Sequence, residues 1–126
     1  MRLALALFLL SAAASADEAV EALWKEKNCV KCHGADRQGQ TEMGRKLKVP
    51  NFTRPRWQQR NDDDEKLRKV IREGVKEKGK VLMPAFKSKL TPDQIDQLVQ
   101  HVRAFDPSKP DESAGGEPAK AEPETR

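Results

Sequence analysis

Two cysteines separated by two residues and followed at once by a histidine, Cys29-Val30-Lys31-Cys32-His33, constrain this chain more than any other feature. On one turn of helix the cysteines stand at i and i+3 and share a face. Both thiols can then meet one edge of a planar macrocycle while the next residue holds an imidazole beneath it. C-x-x-C-H is the pattern through which a polypeptide attaches haem covalently. It implies one haem c, with Cys29 and Cys32 as the attachment points and His33 as the proximal iron ligand.

Two other readings of the pentapeptide are weaker. A redox-active C-x-x-C belongs beside a βαβ pattern, and no run of β-branched residues suggests such a sheet. A zinc site wants four ligands, and the whole chain offers two cysteines and two histidines, His33 and His101. Adjacent Cys32 and His33 are also poor partners on one tetrahedral ion.

The chain divides into three parts. Met1-Arg2 is a short positive region, Leu3 to Leu10 is unbroken and apolar, and Ala14-Ser15-Ala16 is an A-x-A cleavage site. Residues 1–16 therefore read as a secretory signal peptide cut after Ala16, and the mature protein as periplasmic. The apolar stretch is too short to span a membrane, and no later one is longer. From Asp106 to Arg126 there are four prolines, Gly115-Gly116, an excess of acids and no large apolar residue. Residues 106–126 read as a disordered acidic Pro-rich tail. What remains, 17–105, is one small basic domain. So short a core is marginal on burial alone. Covalent haem would be its staple, giving Trp24, Phe52, Trp57, Phe86 and Phe105 a surface to pack on, and the apoprotein is expected to be largely unfolded.

Three main helices are legible. The first starts at Asp17 as N-cap and carries Val20, Leu23 and Trp24 as an i, i+3, i+4 stripe into the cysteine motif. The second follows Asn61-Asp62-Asp63-Asp64, repeats the spacing with Leu67, Val70 and Ile71, and stops at Gly74. The third has Thr91 as N-cap, Pro92 at the first helical position and Gln94 completing a capping box. Ile95, Leu98, Val99, Val102 and Phe105 form its apolar face. The segments from His33 to Asn61 and from Gly74 to Leu90 read as long loops wrapping the haem. His101 lies off the stripe and is expected to be exposed.

Iron that passes electrons without binding substrate needs a sixth ligand. Met1 leaves with the signal peptide, so the sulfur candidates are Met43 and Met83. Met43, ten residues beyond His33, would need a tight reversal around the ring. Met83 lies in Val81-Leu82-Met83-Pro84-Ala85-Phe86, where Pro84 keeps the preceding residue out of the helical state.

The helix running into C-V-K-C-H-G, the helix ending at Gly74, the M-P-A-F loop and the terminal L-T-P-D-Q-I-D-Q-L-V-Q-H-V-R-A-F helix resemble a class I c-type cytochrome of the bacterial monohaem kind. The likeness covers Ala19 to Phe105. It implies an all-α small cytochrome c fold of three main helices and long loops around one haem, with thioethers at Cys29 and Cys32, His33 proximal and Met83 distal. It also implies that the first and last helices cross, and that a backbone carbonyl accepts the His33 N–H; Val49-Pro50-Asn51-Phe52 and Gly44 are the rival sources. The chain has no tyrosine, so Trp57, Arg54, Arg56 and Arg60 are the candidates to bond the propionates.

His/Met ligation leaves both oxidation states six-coordinate, and no Ser/His/Asp set or carboxylate pair is recognisable. The chain thus reads as a soluble, monomeric carrier of single electrons between redox proteins, not an enzyme, with no nucleic-acid partner. The alternatives are a haem c subunit of an exported oxidoreductase complex, or a ligand-binding or peroxidatic haem protein with a displaceable methionine. Lys76, Lys78, Lys80, Lys87 and Lys89 flank Met83 and suggest docking with acidic partner surfaces.

Overall fold

The computed structural model describes residues 15–109. The elements in order are α1 (Ala16–Glu26), α2 (Cys29–His33), α3 (Glu42–Leu47), α4 (Pro55–Arg60), α5 (Asp64–Glu73), strands β1 (Val75–Glu77) and β2 (Lys80–Met83), and α6 (Pro92–Ala104). The small all-α fold expected from the sequence is the one observed, with α1, α5 and α6 as its three long helices. Most of the expected leader and tail lies outside the described residues. Asp106 to Lys109 form a turn, in which the Asp106 carboxylate accepts from the Ser108 backbone at 3.0 Å.

Each long helix is bounded by the residues that physical chemistry would choose. α1 starts two residues earlier than the aspartate rule suggests, inside the expected leader: Ser15 is the N-cap and accepts from the Glu18 N–H at 3.3 Å, while Asp17 and Glu18 sit in the first turn facing the helix dipole. Asp63 caps α5 by accepting from the Glu65 and Lys66 backbones. Thr91 and Gln94 make both bonds of the capping box that opens α6. Val20, Leu23 and Trp24 on α1 and Ile95, Leu98, Val99 and Val102 on α6 are buried. α6 packs on both α1 and α5, so the first and last helices meet as expected.

The two connections are more ordered than their composition suggests. Thr41 caps the short α3 through the Gly44 N–H, and Pro55 opens α4. Between α5 and Met83 lies a hairpin that pairs Val75 with Met83 and Glu77 with Lys80. Its turn residues, Lys78 and Gly79, both have positive φ, at 50° and 76°, the geometry that matches strand twist in a two-residue turn. Strands of three and four residues are too short for alternation to register in the sequence.

Two buried polar residues join α4, α5 and α6. Gln58 donates to the carbonyls of Phe52 (2.8 Å) and Val102 (3.0 Å). Arg103 donates to Asp64 (2.7 Å), to the Gln58 side-chain oxygen (3.0 Å) and to the Asn61 carbonyl. Sequence reading missed both, although Arg103 follows Ile95 and Val99 at steps of four on one helix face.

Removing Arg103 leaves Gln58 and the Asn61 carbonyl without a donor and Asp64 without its counter-charge. Arg103→Met should lower the unfolding free energy by about 3 kcal/mol, read from denaturant midpoints. Hydrogen bonding to Arg103 holds the Asp64 carboxyl below the usual carboxylate range. Its stabilisation is therefore complete above that range and lost as pH falls through it, and R103M should lose less stability than the parent on acidification.

Candidate functional site

α2 leaves α1 through Asn28, which takes the left-handed conformation (φ 60°) and so turns the cysteine motif away from the α1 axis. The carbonyls at its C-terminal end find partners in one segment. The Thr41 hydroxyl lies 2.8 Å from the Lys31 oxygen and 3.0 Å from that of Cys32, and the Gly39 N–H donates to the His33 oxygen at 2.9 Å. A side chain at Gly44 would collide with the backbone oxygens of Cys32 and Gly39, so glycine lets α3 lie directly on the motif. The pentapeptide is fixed from behind by its own neighbours.

His33 packs on Phe52 with ring centroids 4.9 Å apart and planes 24° from parallel, and on Trp24 at 5.6 Å. The Trp24 indole N–H donates to the Gly34 carbonyl at 3.3 Å. Burial pushes the His33 pKa down to about 4, so its ring is neutral and keeps a lone pair at neutral pH. Nδ1 of His33 is buried and has no hydrogen-bond partner among the described residues. Of the rival carbonyls named for it, Gly44 accepts from the Val49 N–H, Asn51 from the Arg54 N–H and Phe52 from Gln58, whereas those of Val49 and Pro50 accept no hydrogen bond among the described residues. Cys29 and Cys32 are free thiols. Burial raises the Cys29 pKa to about 11, which keeps it protonated and unlike the thiolate of a redox-active C-x-x-C. Among the described residues no group of three or more His, Cys, Asp and Glu side chains converges as a metal cluster would require.

The Met83 segment is held by α5. Gly74 ends that helix at φ 74°, ψ −173°, and a side chain there would strike the backbone of Met83 to Ala85. The N–H groups of Phe86 and Lys87 then donate to the carbonyls of Ile71 (3.0 Å) and Arg72 (3.1 Å). The helix end thereby gains the partners it lacks, and the loop gains a fixed seat.

Between these supports lies an apolar cleft of about 620 Å3, within the ordinary range of cofactor sites, roughly 300–1,000 Å3. Cys29, Cys32, His33 and Met83 all line it, together with Phe52 and Trp57. Two half-buried thiols, a neutral imidazole and a thioether around one apolar space are the donor set that a covalently attached haem needs, so the residues present fit the group. Met43, the other sulfur candidate, lines the same cleft. Of the four residues considered for the propionates, Trp57 reaches the cleft, whereas Arg54, Arg56 and Arg60 are exposed and outside its lining. Lys27, Lys31, Lys48 and Asn61 are polar lining residues that the sequence did not single out. His101 is not the exposed residue expected: it lies against Trp24 at 5.4 Å, and its side chain is 9% exposed.

The family model for cytochrome c oxidase, cbb3-type, subunit III, matches residues 15–102. Among solved structures, the KustC0563 c-type cytochrome is similar at 35% identity with a TM-score of 0.59, over 68% of this chain and 95% of that one. No curated protein matches the chain.

Because α3 rests on Cys32 through Gly44, Gly44→Ala should displace the motif from its support. The expected result is a lower yield of covalently haem-loaded protein and a thermal midpoint several degrees below the parent, checked by haem staining and melting curves.

Proposed function

The chain belongs to the c-type cytochromes of the family described by cbb3-type oxidase subunit III, and from that membership we propose that it is an exported monohaem cytochrome of class I, carrying single electrons between redox proteins. As a c-type cytochrome it is an electron-transfer protein and not an enzyme. The observation that carries the finer reading is that Cys29, Cys32, His33 and Met83 line one apolar cleft.

In this reading Cys29 and Cys32 hold the haem through thioethers, His33 is the proximal ligand and Met83 the distal one. Bound haem supplies the one-electron chemistry; the chain's task is to hold its ligands still and keep water away. His33 is neutral without losing a proton, so iron does not compete with one at neutral pH. Met83 is a soft thioether, which favours ferrous iron and a raised potential. Its seat on α5 and the hairpin keeps it in place through the redox cycle, which keeps reorganisation small. Lys76, Lys78, Lys80, Lys87 and Lys89 are all exposed, and among the described residues none lies within salt-bridge distance of a carboxylate. They form an unneutralised positive surface beside Met83, suited to acidic partners. In this reading residues 1–16 are the leader, 17–105 the cytochrome domain and 106–126 the disordered acidic tail. Among the described residues no helix is long and apolar enough to cross a membrane.

One observation favours a second reading. The matching family takes its description from an oxidase subunit, so the chain could serve as the haem c subunit of an exported complex. A subunit would co-purify with other chains from native membranes, and a carrier would be recovered free.

Two methionines line the cleft, and exchanging each decides between them. Met83→Ala should abolish the weak far-red absorption of methionine-ligated ferric haem and lower the reduction potential, while Met43→Ala should keep both. The reverse pattern would overturn Met83 as the ligand.

A further inference from the structure

Arg37 belongs to none of the functions assigned above. It lies outside the cleft lining, yet it is 3% exposed and sits in the left-handed region at φ 61°, an uncommon conformation for a long side chain. Its guanidinium donates to Glu21 at 2.7 Å, to Nε2 of His101 and to the Ala35 carbonyl. It also lies over the rings of Trp24, at 4.7 Å from the centroid, and Phe105, at 5.1 Å. As an acceptor, Nε2 of His101 must carry no proton, so His101 adds no charge of its own to the contact. Burial and the Arg37 cation both favour that neutral form.

Burying a cation costs several kcal/mol unless it is fully compensated. Here the compensation is one-sided: Glu21 is 44% exposed, so part of its charge is screened by water, while the inner side of the guanidinium faces aromatic rings. Trp24 touches Arg37, packs on His33 and lines the cleft. The charge of Arg37 also reaches the motif, because it is one of the groups that lower the Cys29 pKa against burial.

We propose that Arg37 raises the reduction potential of the haem held in this cleft, by fixing a buried positive charge against Trp24. The inference rests on the haem reading above. Reduction adds one electron to the iron and lowers the charge of the site by one. A fixed cation separated from the site by apolar side chains therefore stabilises the reduced form relative to the oxidised form. Arg37 acts here as a positioning and electrostatic residue, since it touches the cleft through Trp24.

The test is a spectroelectrochemical titration of the haem-loaded parent, Arg37→Gln, Arg37→Lys and Glu21→Gln. The proposal expects R37Q to shift the midpoint to lower potential while keeping the methionine-ligation band, and R37K to retain most of the parent value. It expects E21Q to shift the midpoint upward, because the same cation loses its counter-charge. A purely structural latch predicts no such opposition of sign. Midpoints that do not move, or that move in the same direction in R37Q and E21Q, would overturn the proposal while leaving the haem assignment standing. If R37Q fails to fold, the double variant R37Q/E21Q, which leaves no unpaired carboxylate behind, decides: a midpoint equal to that of E21Q would overturn the proposal, and a lower one supports it. A colourless parent protein would remove the haem reading and this inference together.

Discussion

The hydrophobic core of this protein surrounds a space instead of filling one. Trp24, Phe52, Phe86, Leu90, Leu98 and Val102 are core residues, and each of them also lines the cleft. Among the described residues, Val99 is the side chain that is wholly buried among protein atoms. A closed, empty cavity of this size would cost on the order of 15 kcal/mol at ~24 cal/mol per Å3, as much as the whole stability of a typical domain. An open cleft admits water, but water against aromatic walls recovers little of that. Stability and function are therefore one problem here. A planar apolar cofactor joined to Cys29 and Cys32 would complete the packing of six core residues while bringing the chemistry.

The walls of that space come from segments far apart in sequence, and close backbone contact holds each one. At one wall Gly44 lets α3 lie on Cys32, and Thr41 and Gly39 take up the carbonyls of residues 31 to 33. At the other, Gly74 lets the Met83 segment lie on the end of α5, whose free carbonyls bind Phe86 and Lys87. The same device serves twice: a missing Cβ permits the approach, and the exposed hydrogen-bonding groups of a helix end fix it. Hydrogen bonds and close packing within the chain define the backbone of each wall. The cysteine motif and the Met83 segment are thus each seated on neighbouring backbone, as the proposed redox role requires of a centre that changes charge without changing shape.

How much of this could be read beforehand depended on the range of the interaction. The start of α6 was legible to the residue because a capping box, a proline at the first position and a stripe of four buried residues all lie within one short window, while its end came at Ala104, just short of the expected stop at Asp106-Pro107. That Cys29, Cys32 and His33 would meet one cleft was legible because they lie within one turn of helix. The hairpin was not, since strands of three and four residues carry no period and the Lys78-Gly79 turn resembles any polar loop. His101 was misplaced for a related reason: the apolar stripe of α6 sets which face meets α1, but burial just beyond that stripe is decided by Arg37, which reaches it from 64 residues away. Arg37, Gln58 and Arg103 are invisible to a hydropathy pattern because their burial is made tolerable by partners on other elements.

The charged residues divide by chemistry. Arg37, Arg68 and Arg103 are each fastened to a carboxylate at 2.7 Å, joining α1 to the loop after the motif or α5 to α6. A planar guanidinium with several donors in fixed directions suits that task, because it can satisfy more than one acceptor while keeping its charge. Of the lysines on either side of Met83, Lys89 lies over the Phe86 ring at 5.7 Å from its centroid, and Lys76, Lys78, Lys80 and Lys87 are exposed on flexible stems around Val81 with no carboxylate within salt-bridge distance among the described residues. In the proposed function their charge would act at long range on whatever approaches the cleft. If both proposals hold, arginine within and lysine at the rim separate the electrostatics that set the site from those that select its partner, and either can change without undoing the other.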